Sequence, residues 1–522
     1  MNANLLTDPI FRVELAGQSQ RLTLPDLLES LGQDQLDTYG ALQRHQEDAW
    51  HIFLCYLGAA LLARHGKTSA VQRSQFWEAA LSELAGDTLD AWALVSPNPR
   101  LAAFMQPPLP VSDIGRLKVK AVTPDALDLL VTSKNHDVKA ARATRAQPDD
   151  WVYALVSLQT MSGYLGAGNR GISRMNSGFG NRLVVELVQS FRWGRRWIDA
   201  VERLLAHRQE LLAAPYHYDS DGLVLLWTVP WDGVTPLPLT ALDPCFIEVC
   251  RRVRLRSDGE QIWAEDVSCQ NDRIDAKQLL GVLGDPWLPT ELGSADSKEA
   301  TAKALTVSPR GLTADVMRRL VFGDDLGLSA LQRPGSDWAR SEMWLLASVL
   351  VRGQGKTEGF YAETVRIPPQ VVPTLFGGRE RRQHLTSLSK AGLDYASKTT
   401  QALRRAVFVY LEGGPATVVM DRTATGAWWI RADRAFEQRW RADYFPWVWD
   451  HADDDNEQDA LTQWVEQLTS HALSVLHDVE VGWPHRAGRA YRAQVEAERT
   501  FFGILHSPRF FPWMRKEMRQ DV

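Results

Sequence analysis

The sequence predicts an α+β chain, with a large, irregular mixed α/β domain over residues 1–375 and a C-terminal four-helix bundle over 376–522. Three observations predict it. Strand-forming stretches bounded by turn residues alternate with helix-period stretches through the first two-thirds. Proline-rich and Ser/Asp/Gly-rich segments break that part repeatedly, and no 20–50-residue repeat runs through it. After Pro373 the patterning becomes almost wholly helical.

Taken in order, Leu5–Glu14 reads as a first strand, and Trp50–Leu62 and Gln75–Leu84 as helices. Pro97–Pro110 carries five prolines and is expected to be irregular. Trp151–Met161 is apolar, and Leu183–Gln209 has helical patterning with several arginines. Residues 222–290 are β-rich, with strands expected within Gly222–Pro230, Phe246–Arg256 and Gln261–Val267. Residues 291–335 read as loop with one helix, and Trp338–Val351 as a helix. Gly392–Leu411 reads as a helix stopped by Glu412-Gly-Gly-Pro. Leu461, Trp464, Val465, Leu468, Ala472, Val475, Leu476 and Val479 follow i, i+3, i+4, i+7 spacing, which marks one buried face. Arg486–His506 supplies a further helix, and Asp450–Asp459 an acidic loop inside the bundle.

Composition narrows the function classes. At 522 residues, 45% hydrophobic and 23% charged, the chain has ample material for a core and is not a disordered, collagenous or rod-like protein. A net charge of −6 excludes histone-like binding by bulk charge but leaves room for a local basic groove. Four scattered cysteines without a CxxC make neither a disulfide framework nor a zinc ribbon, so no metal and no cofactor are expected. The opening MNANLLTDPIFRVE lacks the features of a signal peptide. The longest apolar run, Ile52–Ala63, falls short of the ~20 residues of a membrane helix. A cytoplasmic protein with no membrane attachment is expected. The twenty tryptophans are first of all packing residues.

Two glycine loops stand out. Ser162–Arg182 holds six glycines, three arginines and no acid, and Gly166-Ala-Gly168-Asn169-Arg170-Gly171 within it is a formal GxGxxG. It is open to three readings: a dinucleotide loop, which needs a strand before and a helix after; a structural glycine loop; or a nucleic-acid contact. In the last, backbone amides approach a phosphate or groove floor while Arg170, Arg174 and Arg182 supply charge. Gly353-Gln354-Gly355-Lys356-Thr357 resembles the end of a Walker A loop, but Leu350 stands where that motif needs glycine. A tight exposed turn, or a loop presenting Gln354 and Lys356 to a ligand, are the other readings. Arg252, Arg254 and Arg256 share a strand face, either solvated and balanced by Asp258 and Glu260 or contacting phosphate. Seven basic residues between Arg379 and Arg405 make either a solvated helix face or a nucleic-acid flank. No HExxH or GxSxG occurs, and the pattern leans toward binding over catalysis.

Several segments, in order, resemble one family: the large subunit (CasA) of the type I-E CRISPR interference complex, Cascade. NLLTDPIFRV resembles its opening strand, LDLLVTSKNHDVK (Leu127–Lys139) its guide-RNA handle loop, SGYLGAGNRG its glycine loop, and RGQGK its duplex-splitting wedge. The resemblance implies that Lys134, Asn135, His136 and Lys139 dock on the guide RNA 5′ handle. It implies that Gly163, Gly166, Gly168, Asn169 and Arg170 read the PAM from the minor groove, with Lys277 matched to a PAM-contacting lysine by its distance from the Gly284–Pro289 turn. It implies that Gln354, beside Lys356, inserts beneath the PAM. The implied partners are double-stranded target DNA, the other Cascade backbone and small subunits, and a recruited helicase-nuclease that does the cutting, so the chain itself would not be an enzyme. Some members carry two cysteine pairs suited to a metal, and this chain lacks them. Outside the resemblance stand a nucleotide-binding enzyme using one glycine loop, and a scaffold without DNA contacts.

Overall fold

The computed structural model describes residues 3–86, 89–129, 146–178, 180–293, 301–323, 325–335, 337–338, 340–353, 356–414, 423–452, 456–483, 485–507 and 510. The chain divides into two compact units, Met1–Val365 and Arg366–Val522.

The first unit is mixed α/β. Its strands are β1 (Phe11–Leu15), β2 (Gln18–Leu22), β3 (Leu36–Tyr39), β4 (Lys118–Ala121), β5 (Val184–Val188), β6 (Leu223–Leu225), β7 (Leu242–Ile247), β8 (Arg252–Ser257), β9 (Ile262–Val267), β10 (Thr290–Glu291), β11 (Lys303–Ala304), β12 (Leu326–Gly327), β13 (Met343–Gly353) and β14 (Lys356–Ile367), the last of which runs into the second unit. They form small sheets ordered β2-β1-β3, β4-β9-β8, β6-β7, β11-β10-β12 and β14-β13-β5. Its helices are α1 (Leu24–Gly32), α2 (Glu47–Arg64), α3 (Ser74–Leu84), α4 (Val111–Ile114), α5 (Pro124–Asp128), α6 (Pro148–Met161), α7 (Trp193–Leu212) and α8 (Ala314–Phe322). Helix α2 is buried on every side from Asp48 to Leu62, as befits a helix apolar all round, and the other elements wrap it. Trp50 stacks on Phe53 at 5.1 Å and meets Tyr153 of α6 edge-on at the same distance.

One expected helix, Trp338–Val351, is mostly strand, and another, Leu183–Gln209, is a helix only from Trp193 on. Residues 184–188 form β5 before α7 begins, and 343–353 form β13; the two pair antiparallel with Leu346 opposite Glu186. β5 is buried at all five positions. A strand covered on both faces loses the polar alternation that would mark it in sequence.

The second unit holds α9 (Val372–Phe376) and the expected four-helix bundle: α10 (Arg379–Leu411), α11 (Thr423–Asp450), α12 (Glu457–Gly482) and α13 (Ala487–Leu505). Helix α10 packs on the other three bundle helices. All eight residues of the periodic face on α12 are buried. Trp464 stacks on Trp447 at 4.7 Å and donates to the Gly392 carbonyl at 3.0 Å. A Cβ at Gly392 would come within 2.4 Å of Trp447, so glycine lets α10 approach this pair.

Candidate nucleic-acid interface

The glycine-rich segment leaves α6 at Ser162 and returns beside its own start. Gly163 N–H donates to the Gly180 carbonyl at 2.6 Å, Tyr164 N–H to Gly178 at 3.1 Å, and Ile172 N–H to Ser162 at 3.0 Å. These bonds close a neck. A Cβ on Gly163 would lie 2.6 and 2.8 Å from the carbonyl oxygens of Gly178 and Gly180. Gly163 is buried, and its lack of a side chain lets the neck close. Beyond the neck the tip turns tightly. Asn169 N–H donates to Gly166 at 3.0 Å, and Leu165 N–H to Asn169 at 3.0 Å. Gly166 has φ +106° with nothing within 4 Å of its Cβ position, so one face of the tip is open. Gly168, φ +83°, packs against Ser268 and accepts from Cys269 N–H at 2.9 Å, pinning the tip to the end of β9.

The arginines behave differently from one another. Arg170 is half-buried and donates to the Gln270 carbonyl. Arg174 and Arg182 are buried: the Arg174 guanidinium lies 3.6 Å from the Phe246 ring centroid, and Arg182 pairs with Asp285. Both are committed to the interior and are not available to phosphate. Arg252 and Arg254 of β8 are likewise buried, while Arg256 at the strand's end is half-buried. Arg252 pairs with Asp113, Arg254 donates to the Gln106 carbonyl at 3.0 Å, and Arg256 pairs with Glu265 at 3.0 Å. Neighbouring Arg251, also buried, donates to the Gly163 carbonyl at 2.9 Å and so braces the neck, a role with no local sequence signal.

Two other predicted segments meet this loop. Lys277 is exposed at the start of a short 3₁₀ turn over Lys277–Leu279. Gly281, just after that turn, sits so close to the loop that its Cβ would fall 2.7 Å from the Met175 carbonyl carbon. At the other side, Asn181 N–H donates to the Leu350 carbonyl at 2.8 Å, and a Cβ on Gly180 would lie 3.1 Å from Arg352 N. The glycine segment thus rests on the last residues of β13, immediately before residue 354. Arg352 is buried, donates to the Asp128 carbonyl, and has its pKa pulled down to about 10 by burial. Asp128 accepts from His45 and Gln46, each at 2.8 Å. Lys134, Asn135, His136, Lys139 and Gln354 lie outside the described residues; Lys356 opens β14.

These surroundings fit neither nucleotide-loop reading. The GxGxxG follows a helix and precedes irregular chain up to β5, whereas a dinucleotide loop joins a strand to a helix. The 353–357 segment follows a strand and not the helix expected from sequence, yet it leads into another strand, so no helix N-terminus faces a phosphate.

No protein-family model and no curated protein matches the sequence. Solved structures do match. CasA (Cse1) of Thermus thermophilus superposes with TM-score 0.62 at 14% identity, over 97% of this chain and 99% of that one. Cse1 of Acidimicrobium ferrooxidans gives 0.63 at 15% identity, over 97% and 98%. A chain of a CRISPR RNA-guided surveillance complex gives 0.52 at 14% identity, over 96% and 99%. The chain has the CasA fold.

Within this CasA fold one cluster imitates a catalytic site. Cys55 Sγ lies 3.5 Å from His51 Nε2, which lies 3.4 Å from Glu186. All three are buried on α2 and β5, and burial pushes the Cys55 thiol well up and the His51 imidazole down. Glu186 is held by Arg196 at 2.7 Å, which keeps its carboxyl far below the usual range despite burial. An un-ionised thiol without solvent access is a core residue, not a nucleophile. Among the described residues no group of three His, Cys, Asp or Glu side chains forms a metal site, and no helix is long and apolar enough to cross a membrane.

Proposed function

We propose that this chain is the large subunit of a type I-E CRISPR Cascade complex, which recognises the PAM in double-stranded DNA from the minor groove and promotes strand separation and R-loop formation. The observation that carries the reading is that one glycine segment, with an open tip at Gly166, is met at Met175 by Gly281 after the Lys277 turn and at Gly180 and Asn181 by the end of β13. The open tip at Gly166 presents backbone where a shallow, degenerate groove needs close approach, and Lys277 adds an exposed cation on the turn that leads to Gly281. Gln354 and Lys356 follow β13 directly and act as the wedge, while Lys134, Asn135, His136 and Lys139 hold the guide RNA 5′ handle. The bundle contacts the small subunits, and the assembly recruits a helicase-nuclease in the cytoplasm; this chain binds and does not catalyse. Base pairing with the guide then reads the target, as in other RNA-guided systems.

The test uses the assembled, guide-loaded complex. Gly166→Asp should abolish PAM-dependent duplex capture by placing like charge against DNA. Gln354→Ala should keep capture and slow opening, and a target already bubbled beside the PAM should rescue it but not Gly166→Asp. Equal rescue of both variants, or of neither, refutes the division of roles.

A further inference from the structure

A cavity of about 160 Å³ opens where the start of α2 meets β5, β13 and β14. That is room for one long side chain and less than a drug-sized ligand needs. Its lining carries four carboxylates, Glu47, Asp48, Glu186 and Glu363, against two guanidiniums, Arg44 and Arg196. Phe191, Trp193 and Leu346 add apolar wall. The acids are not equally committed. Glu186 is fully buried and held by Arg196 at 2.7 Å, so it lies beneath the floor. Asp48 pairs with the same Arg196 at 3.1 Å and accepts from the Ser348 hydroxyl, yet keeps 12% of its side-chain surface. Arg203, a further cation near Glu186, spends its guanidinium on the carbonyls of Leu187, Ala330 and Arg333. Glu47 keeps 24% of its side-chain surface, and its one hydrogen-bond partner among the described residues is Arg44, itself 59% exposed. An ion pair with so exposed a cation is worth little. Burial meanwhile pushes the Glu47 carboxyl up, so this group is half-desolvated without a strong partner.

The chemistry that completes such a site is a flat cation with several donors. A guanidinium offers five N–H groups in one plane and lies against aromatic rings, whereas an ammonium is a compact point charge. We propose that the cavity receives an arginine side chain of a partner protein, with Glu47 and Asp48 as acceptors and Phe191 beside its plane. The excess of carboxylates repels phosphate, so the partner is protein and not nucleic acid. Phe191 is 58% exposed and its ring lies 5.2 Å from that of Trp344, which extends apolar surface beyond the cavity for the arginine's neighbours to cover. Arginine set among aromatic side chains is a common anchor of protein interfaces. The cavity does not depend on the DNA reading; that its occupant belongs to a subunit assembled around the guide rests on the function proposed above.

The test has two arms. The first titrates N-acetyl-arginine methylamide into the full chain without nucleic acid and follows the Leu346 methyl resonances by NMR. A saturable shift is expected, several-fold weaker in affinity for the lysine analogue. Glu47→Gln should weaken it about tenfold, as for the loss of a charged hydrogen bond. Phe191→Ala, at an exposed position, should weaken it several-fold and keeps the test open should Glu47→Gln fail to fold. No saturable shift, an equal response to both analogues, or indifference to both variants overturns the proposal. The second arm places the photo-cross-linker p-benzoylphenylalanine at Thr364, exposed on the lining, in the assembled guide-loaded complex. Cross-links should map to one subunit at a stretch holding an arginine, and replacing that arginine with alanine should abolish them. Should the arginine analogue bind in the first arm while Thr364 captures no protein in the second, the cavity takes a free guanidinium compound and the partner-protein assignment is overturned. If the chain joins no guide-loaded complex at all, the function proposed above falls and the protein partner with it, while the first arm still decides the cavity.

Discussion

Gly163→Ala should open the neck of the glycine loop, while Gly166→Ala should leave the neck closed. At 163 the new methyl would sit 2.6 and 2.8 Å from two carbonyl oxygens, both backbone, so neither can rotate away. Overpacking of this kind costs about 1–3 kcal/mol. Displacing two of the three neck hydrogen bonds, those accepted by Gly178 and Gly180, adds a net ~1 kcal/mol for each one lost. Taking about 3 kcal/mol, the low end of the sum, local opening should rise ~100-fold, since each 1.4 kcal/mol is a factor of ten. At 166 no atom lies within 4 Å of the Cβ position, and the penalty is the φ of +106° alone. That strain costs about 1–3 kcal/mol but falls on the tip. Hydrogen exchange followed by mass spectrometry on peptides covering 160–172 separates the two. Exchange in that window should accelerate strongly for Gly163→Ala, at the amides of residues 163, 164 and 172. For Gly166→Ala the acceleration should be confined to residues 165–169. A folded Gly163→Ala chain with exchange within twofold of wild type would refute the account of the neck.

Leu468→Ala should cost about 2–5 kcal/mol in urea unfolding of the bundle, because Leu468 is completely buried on α12; a cost below half a kcal/mol would contradict the packing. The Asp199 carboxyl on α7 is pushed up to about 6 by burial, which outweighs Arg195 at 3.1 Å. A pKa raised by folding stabilises below the unfolded value and loses that stabilisation as pH rises through about 6. Asp199→Asn should therefore be more stable than wild type at pH 7, with the gap closing toward pH 4; a pH-independent difference would argue against it. Lys277→Ala should weaken duplex binding by the assembled complex and, if the lysine meets a phosphate, lower the slope of log K against log salt by about one; an unchanged slope would place it on a groove acceptor instead.

Much of the local structure was legible because its cause is local. The buried face of α12 repeats within one helix, so spacing alone exposes it. The end of α10 follows from Glu412-Gly-Gly, where Gly413 and Gly414 take φ +82° and +76°. Periodicity failed at β5 and β13. β5 is apolar but for Glu186, and β13 is apolar from Met343 to Val351 but for Ser348; a stretch covered on both faces reads alike as buried strand or buried helix.

The candidate site divides along the same line. The sequence by itself determined that Ser162–Arg182 is a basic, glycine-rich stretch without acids, that glycines flank Gln354, and that the C-terminal third is a bundle. Only the tertiary structure decided which charges face solvent. Arg251 reaches Gly163 across 88 residues, Arg254 reaches Gln106 across 148, and Arg352 reaches Asp128 across 224. Counting arginines in a window registers charge but not burial. Burial depends on whether distant carbonyls and carboxylates converge to replace the water that a guanidinium gives up. The same long-range packing decided that Gly281, after the Lys277 turn, meets the glycine segment at Met175 and that the end of β13 meets it at Gly180 and Asn181.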